Sequence, residues 1–245
     1  MADEPRTDQA DVSRDAATGI PAEVRDVVDR LKAEVAALHA ELPRNNLVVW
    51  TAGNVSARVP GADLLVIKPS GVSYDDLTPE SMVVCDLFGT LVEGTRSPSS
   101  DTAAHAYVYR HMPEVGGVVH THSDYATAWA ARREPIPCVL TMIGDEFGGD
   151  IPVGPFALIG DDSIGRGIVE TLRTSRSRAV LMANHGPFTI GSDARDAVKA
   201  AVMVEDVART VHLARQLGEP VPIPQDDIDR LFDRYQNVYG QGSAQ

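Results

Sequence analysis

Short apolar runs alternate with segments of helical periodicity along this chain, and this alternation constrains the fold more than any other feature. Strands are predicted at the apolar runs, residues 47–50, 64–67, 82–86, 90–93, 116–122 and 179–183. Helices are predicted where apolar residues recur at helical spacing, at residues 24–38, 102–111, 124–131, 164–172, 193–217 and 226–235. Because some neighbouring strands form hairpins while others are separated by helices, we expect an α/β fold. A central mixed or antiparallel β-sheet is flanked by helices in layers.

The first 20 residues differ in composition from the rest of the chain. Residues 1–20 contain five acidic residues and few apolar ones, which is typical of a disordered N-terminal tail. Residues 21–245 show no internal repeat and no further break, so they are predicted to form a single domain. We expect removal of the tail to leave folding unchanged.

Charge and cysteine content narrow the class of protein. Among 245 residues the formal net charge is −13, which argues against a general binder of nucleic acid or membrane surfaces, since both require a basic face. No apolar run approaches the roughly 20 residues of a membrane span, and no signal-peptide pattern is present. Only Cys85 and Cys138 occur, so no disulfide framework is expected, and we predict a cytoplasmic protein.

Three histidines and one aspartate are candidate metal ligands. His120 and His122 lie two residues apart in a predicted strand and therefore share one face, where two imidazoles can chelate a divalent metal. His185 follows another strand and precedes Gly-Pro, and would supply a third imidazole. Asp101 precedes a predicted helix and could be an N-cap, a fourth ligand, or a residue that orients a histidine. Each feature alone is also compatible with an ordinary structural role.

Three turn segments have residue types suited to an anionic group. They offer backbone N–H groups beside a hydroxyl or an amide, and they are Gly53-Asn54, Ser70-Gly71 and Ser99-Ser100. Ser99-Ser100 also precedes a predicted helix, whose N-terminus favours phosphate. Lys68 lies beside the second segment, and it is one of only three lysines in the chain. Turn chemistry alone would explain any one segment, and spacing does not show whether the three converge.

Taken in order, these motifs resemble the class II aldolase/adducin-head family over about residues 42–241. The motifs are residues 53–56 (GNVS), 67–72 (IKPSGV), 82–84 (MVV), 92–94 (VEG), 98–102 (PSSDT), 116–123 (GGVVHTHS) and 185–188 (HGPF). Within the family they are most similar to the pentulose-phosphate 4-epimerases of arabinose catabolism. The resemblance implies a layered class II aldolase fold and a metal-dependent enzyme. Its reaction would interconvert L-ribulose 5-phosphate and D-xylulose 5-phosphate by retro-aldol cleavage, aldehyde rotation and re-addition.

The resemblance also implies a role for each matching residue. It assigns Asp101, His120, His122 and His185 to one divalent metal per subunit, most typically Zn²⁺, with Mn²⁺ or Co²⁺ as alternatives. It assigns substrate and phosphate binding to Gly53, Asn54, Lys68, Ser70, Gly71, Ser99, Ser100 and Thr141. It assigns the acid/base roles to Asp145 and Tyr239, supplied by a neighbouring subunit. A homotetramer with active sites at subunit interfaces is therefore expected.

The chain departs from the epimerase pattern at several positions, and other interpretations of its function stay open. The chain has no histidine after His212, where the epimerases carry one, and Glu146 replaces an aromatic residue beside Asp145. Residues 153–167 also form a shorter segment than in the epimerases. These differences favour a related sugar-phosphate aldolase or lyase, whereas Asp101 and Tyr239 favour the epimerase. A non-catalytic interaction module like the adducin head is the third interpretation, and a purely structural zinc site is a further possibility.

Overall fold

A computed structural model describes residues 19–238 of the chain. Its helices are α1 (Arg25–His39), α2 (Glu41–Arg44), α3 (Thr102–His111), α4 (Asp124–Arg132), α5 (Thr141–Phe147), α6 (Ser163–Leu172), α7 (Ala194–Leu217) and α8 (Gln225–Asn237). Its strands are β1 (Asn54–Arg58), β2 (Leu64–Ile67), β3 (Val83–Asp86), β4 (Leu91–Glu93), β5 (Gly117–His120), β6 (Val153–Gly154), β7 (Ala179–Met182) and β8 (Gly186–Gly191). Short 3-10 turns occur at Ala22–Val24, Tyr74–Asp76 and Pro79–Ser81.

The eight strands form one mixed sheet in the order β4-β3-β2-β1-β5-β8-β7-β6. All pairs are antiparallel except β6 with β7. Alternate residues of β2 face opposite sides, as strand geometry requires. Leu64 and Val66 pack with α1 and α7, whereas Leu65 and Ile67 pack with α3 and α6. Helices therefore cover both faces, and the predicted layered α/β fold with a central mixed sheet is confirmed.

The first predicted strand is wrong. Residues 47–50 form a loop, in which Leu47 is buried but Trp50 has φ +58° and is 88% exposed. The strand begins instead at Asn54, where the sequence predicted a turn. The error has a physical cause, because β1 buries the polar residues Asn54 and Ser56 and so lacks a hydrophobic alternation. The sequence also did not predict α5, the two-residue strand β6 or strand β8.

The folded domain begins slightly earlier than the predicted boundary. Ile20 is fully buried and belongs to the apolar cluster formed with α1 and one face of the sheet. Residues 1–18 lie outside the described residues, so the disorder of the tail stays a prediction. A truncation that keeps Gly19 and Ile20 is therefore a better-chosen variant than one that begins at Pro21.

His39 joins α1 to β1 and makes folding stability depend on pH. Its Nδ1 donates to the Val35 carbonyl at 2.7 Å, and its Nε2 accepts from the Val55 amide at 3.0 Å. Burial lowers the pKa of His39 to about 3, whereas an unfolded histidine titrates near 6.5. Between these values the unfolded chain binds more protons, so the free energy of unfolding falls as pH falls from about 6.5 toward 3.

The variant His39→Gln should be less stable at pH 7 but should lose less stability on acidification. Urea unfolding of both metal-free proteins at several pH values measures this difference. Using metal-free protein removes the separate effect of metal release. An unchanged pH dependence in the variant would contradict the role assigned to His39.

Candidate active site

Three imidazoles converge at the end of β5 and the turn between β7 and β8. His120 is the last residue of β5, and His122 follows two residues later. His185 lies between β7 and β8, directly after Asn184, whose φ of +58° turns the chain sharply. The ligand nitrogens of the three histidines all lie within 4.8 Å of one another. The predicted histidine set is therefore brought together, although the strand ends at His120 rather than at residue 122.

The protonation of His120 suits a metal ligand. Its Nδ1 lies 3.0 Å from the Pro187 carbonyl, which can only accept, so Nδ1 carries the proton. Its Nε2 therefore carries a lone pair instead of a proton. This atom lies 2.9 Å from Nε2 of His122. Burial lowers the pKa of His120 to about 3, which keeps the ring neutral at pH 7. A backbone carbonyl that orients a histidine in this way is typical of metal sites.

Asp101 directly precedes α3 but does not cap it. No hydrogen bond joins its side chain to the first turn of that helix. Its Oδ2 instead accepts from Asn54 Nδ2 at 2.8 Å, and its Oδ1 is buried without a hydrogen-bond partner among the described residues. Burial acts to raise the pKa of Asp101, but the nearby histidines, His120 first, and the Asn54 hydrogen bond hold it below the usual range. Asp101 is not among the ligand atoms that lie within 4.8 Å of one another, but its unpaired buried oxygen and its electrostatic interaction with the three histidines fit a nearby divalent cation.

A second group of residues forms a cradle beside the histidines. Lys68 is almost completely buried, and its Nζ donates to the Thr51 carbonyl at 3.0 Å. No carboxylate of the described residues forms an ion pair with it, and burial lowers its pKa. The Ser99 amide donates to the Lys68 carbonyl at 3.1 Å. Two of the three predicted anion-binding segments, Ser70-Gly71 with the nearby Lys68 and Ser99-Ser100, therefore lie side by side. A buried ammonium group without an anion suits a phosphate.

Asn54 joins the cradle to the histidine cluster. Its Nδ2 donates to Ser99 Oγ at 2.9 Å as well as to Asp101, and its Cα pairs with that of His120 across the sheet. Gly53 directly before it is held at φ +78°, and a Cβ there would lie 2.6 Å from Val48 Cγ1 and 2.9 Å from the His120 carbonyl oxygen. Only glycine fits this position without displacing the strand that carries His120.

The remaining predicted binding residues lie on the rim of the same loops. Ser70 and Ser100 are exposed, and the Ser70 amide donates to the Ser97 carbonyl at 2.9 Å. Gly71 has φ +67° and open space where a Cβ would be. Tyr74, which the sequence did not single out, closes the cradle from one side. Its ring centroid lies 5.3 Å from Lys68 Nζ, and its hydroxyl donates to the Ala52 carbonyl at 2.7 Å.

Asp145, one of the two predicted acid/base residues, is not part of the histidine cluster. Asp145 lies on α5, and its Oδ1 is 3.3 Å from Nη2 of Arg234 on α8. Thr141 is exposed at the start of the same helix. Tyr239 lies outside the described residues. The roles of all three residues therefore stay predictions.

Glu146 next to Asp145 is fully buried, where the resemblance led us to expect an aromatic residue. Its carboxylate lies 3.2 Å from Lys199 Nζ and 3.6 Å from Arg178 Nη1, and it also interacts with the Tyr235 hydroxyl. Its charge therefore has one cationic neighbour on α7 and another directly before β7. These contacts link α5 to α7, to α8 and to the segment that leads into β7.

Comparison with known proteins decides the family. Residues 33–212 match the model of the family described as Class II Aldolase and Adducin N-terminal domain. The chain belongs to this family. The match contains every predicted site residue except Tyr239. It confirms the family predicted from the ordered motifs.

Relatives with known names are enzymes acting on sugar phosphates. The chain is 43% identical over 213 residues to L-ribulose-5-phosphate 4-epimerase UlaF of Salmonella paratyphi B, covering 82% of this chain and 91% of that protein. Among solved structures it is similar to an L-fuculose 1-phosphate aldolase, with TM-score 0.80, 30% identity and coverage of 84% and 96%. It is also similar to L-fuculose-1-phosphate aldolase from Thermus thermophilus, with TM-score 0.64, 25% identity and coverage of 78% and 98%.

Class II aldolases depend on a divalent metal, and the described residues of this family member include a histidine triad that could hold one. The interpretation as an enzyme is thereby confirmed over that as a non-catalytic module. Among the described residues no helix has the length and apolar composition needed to span a membrane.

Proposed function

We propose that this member of the class II aldolase family is a metal-dependent epimerase that interconverts L-ribulose 5-phosphate and D-xylulose 5-phosphate. The observation that carries the proposal is the position of Asn54, which joins a three-histidine cluster to a cradle around a buried lysine. A sugar phosphate requires both parts at once. The 43% identity to a 4-epimerase over most of both chains supports the choice of reaction.

His120, His122, His185 and Asp101 would hold the divalent metal. We propose Zn²⁺, since three imidazoles and a carboxylate suit it, and Mn²⁺ or Co²⁺ suit the same ligands. A metal held by these residues would supply Lewis-acid chemistry for cleavage of the sugar's carbon–carbon bond. Lys68, Ser99 and Asn54 would hold the phosphate, with Gly53, Ser70, Gly71 and Ser100 at the rim and Thr141 as a further contact to the substrate.

Epimerisation at C4 demands that a carbon–carbon bond breaks, because the C4 hydrogen of a ketopentose phosphate is not acidic. A base removes the C4 hydroxyl proton, and the C3–C4 bond cleaves to give glycolaldehyde phosphate and the enediolate of dihydroxyacetone. The aldehyde turns, the bond re-forms on its other face, and an acid returns a proton to the new hydroxyl oxygen. The lysine cradle keeps the phosphate in place during this turn. Asp145 and Tyr239 are the proposed acid/base pair.

We propose that these two residues act in the site of a neighbouring subunit, in a homotetramer. Within one chain, Asp145 pairs with Arg234 and lies outside the histidine cluster. Val49 and Trp50, close to the lysine cradle in sequence, are 70% and 88% exposed, and such apolar side chains favour contact with a second copy. We also propose a cytoplasmic location, since Cys85 and Cys138 are both free thiols.

One alternative has a specific observation in its favour. A related aldolase or lyase is supported by the similarity to L-fuculose 1-phosphate aldolase and by the absence of histidine after His212. Such an enzyme would release a free aldehyde, whereas the epimerase keeps it bound. The distinction can therefore be made from the products.

The test is to incubate Zn²⁺-loaded protein with L-ribulose 5-phosphate and to quantify all products by NMR. We expect D-xylulose 5-phosphate to form catalytically, without accumulation of free aldehyde, and to stop forming when a chelator removes the metal. Failure to convert this substrate with metal bound would refute the proposed epimerase. Stoichiometric release of glycolaldehyde phosphate would favour the aldolase or lyase.

Replacement of Lys68 should weaken substrate binding more than it slows turnover. In Lys68→Met the ammonium group is lost while the buried side chain keeps its length, so the KM for the sugar phosphate should rise by about tenfold or more. Steady-state kinetics measure the change. Lys199→Met is the matched control, because Lys199 pairs with Glu146 and is not part of the cradle. This replacement should leave KM unchanged. An unaltered KM in Lys68→Met would contradict the phosphate cradle.

A further inference from the structure

A buried row of polar side chains connects β1 to α3 behind the histidine cluster. Asn54 and Ser56 lie two residues apart on one face of β1. His105 and Tyr109 lie one turn apart on one face of α3, and Asp101 directly before α3 continues the same four-residue spacing. Ser56 Oγ lies 2.7 Å from His105 Nδ1 and 2.8 Å from the Tyr109 hydroxyl. None of these residues is more than 6% exposed. The sequence singled out only Asn54 and Asp101 among them.

One direction of proton donation satisfies Tyr109, Ser56 and His105 Nδ1 in turn. Burial raises the pKa of Tyr109, so its hydroxyl stays protonated. The Tyr109 hydroxyl lies 2.8 Å from Ser56 Oγ and can donate its proton there. Ser56 then donates its own proton to His105 Nδ1. Burial lowers the pKa of His105 to about 4, so the neutral ring carries its one proton on Nε2.

Two buried atoms at the end of this row lack hydrogen-bond partners among the described residues. One is His105 Nε2, a donor in this tautomer, and the other is Asp101 Oδ1, an acceptor. Burial lowers the pKa of His105 and the Asp101 charge acts to raise it, and His105 lies one helical turn after Asp101, which directly precedes α3. A buried polar group without a partner costs free energy. The dipole of the His105 Nε2–H and the charge of the Asp101 carboxylate can lower this cost by interacting with each other.

We propose that His105 is a positioning residue for the metal centre, whose Nε2–H supports the negative charge of the Asp101 carboxylate and so tightens divalent-metal binding. The proposal rests on the proposed metal site but not on the proposed substrate. His105 contacts neither the metal nor the sugar, and acts through Asp101. Groups that orient or polarise a ligand in this way typically change metal affinity by about 10–100-fold.

Two substitutions at His105 separate this role from simple packing. His105→Gln can place an amide N–H where Nε2 lies, whereas His105→Asn places its amide near Nδ1 and leaves nothing directed at Asp101. The affinity for Zn²⁺ is measured by chelator competition, with thermal unfolding of the metal-free proteins alongside. We expect His105→Asn to lose roughly tenfold or more in Zn²⁺ affinity, and His105→Gln to recover most of the loss. Tyr109→Phe disturbs the same core but leaves Nε2 in place, so it should bind Zn²⁺ almost normally.

The contrary results are equally definite. Equal Zn²⁺ affinity in His105→Asn and the unsubstituted protein would overturn the proposal, as would equal losses in the Asn and Gln variants. Nitrogen NMR of ¹⁵N-histidine-labelled, unsubstituted protein tests the proton position without any substitution, and a proton on Nδ1 of His105 would also overturn it. Failure of the protein to epimerise L-ribulose 5-phosphate would refute the proposed function but leave these results unchanged.

Discussion

The variant His122→Ala should lose both its bound metal and its activity. His122 is the best of the three ligands to replace, because it is only partly buried, whereas His120 is fully buried and stacks on Phe188 at a ring distance of 4.0 Å. Indirect partners of a metal ligand already contribute about 10–100-fold to affinity, so loss of a ligand should exceed about 100-fold. Metal content after dialysis and the rate of epimerisation measure the two effects.

The control for this variant is His212→Ala. His212 is an exposed histidine of α7 whose Nε2 lies 2.9 Å from Gln216 Nε2, outside the cluster. Its replacement should change neither metal content nor rate. If His122→Ala kept one metal ion per chain and full activity, the histidine cluster would not be the catalytic metal centre.

The variant Asp145→Asn should bind metal normally but turn over much more slowly. Loss of a general acid or base typically costs about 10²–10⁴-fold in rate, and Tyr239→Phe should show a loss of the same kind. Because both residues are assigned to proton transfer rather than to binding, kcat should fall while metal content stays unchanged. Steady-state kinetics in both directions of the reaction measure the effect.

Asp145 also forms an ion pair, so a second variant is needed to separate the two roles. Arg234→Gln removes the partner of Asp145 on α8 but keeps the carboxylate. If the carboxylate acts in proton transfer, Arg234→Gln should retain most of the activity. Equal losses in Asp145→Asn and Arg234→Gln would mean that Asp145 only holds α5 against α8.

Periodic apolar segments made most of the fold predictable. Helix α3 was predicted at its observed residues, 102–111, because its apolar face and its start signals agree. Strand β1 was missed because it buries Asn54 and Ser56, whose side chains hydrogen-bond to Asp101, directly before α3, and to His105 on α3. Pattern recognition assumes that buried strand positions are apolar, and it fails where a strand serves a polar site.

The residue types of the site were predictable, but their convergence was not. The His-x-His spacing placed two imidazoles on one face by strand geometry alone. The contact between Asn54 and Asp101 joins residues 47 positions apart, and no local signal encodes it. The link between Lys68 and Ser99 likewise depends on the loops that bring Pro69 and Pro98 together. The ordered set of motifs predicted the convergence of these residues, because it resembles a family in which they share one site. The spacing within any one motif did not predict it.

The most direct test of the central claim follows deuterium at C4 of the substrate. In retro-aldol epimerisation the C4–H bond never breaks, because only the C3–C4 bond and the hydroxyl proton change. Zn²⁺-loaded protein should therefore convert [4-²H]-L-ribulose 5-phosphate in ordinary water into D-xylulose 5-phosphate that keeps all its deuterium at C4. Loss of deuterium to solvent, or no conversion with the metal bound, would contradict the account.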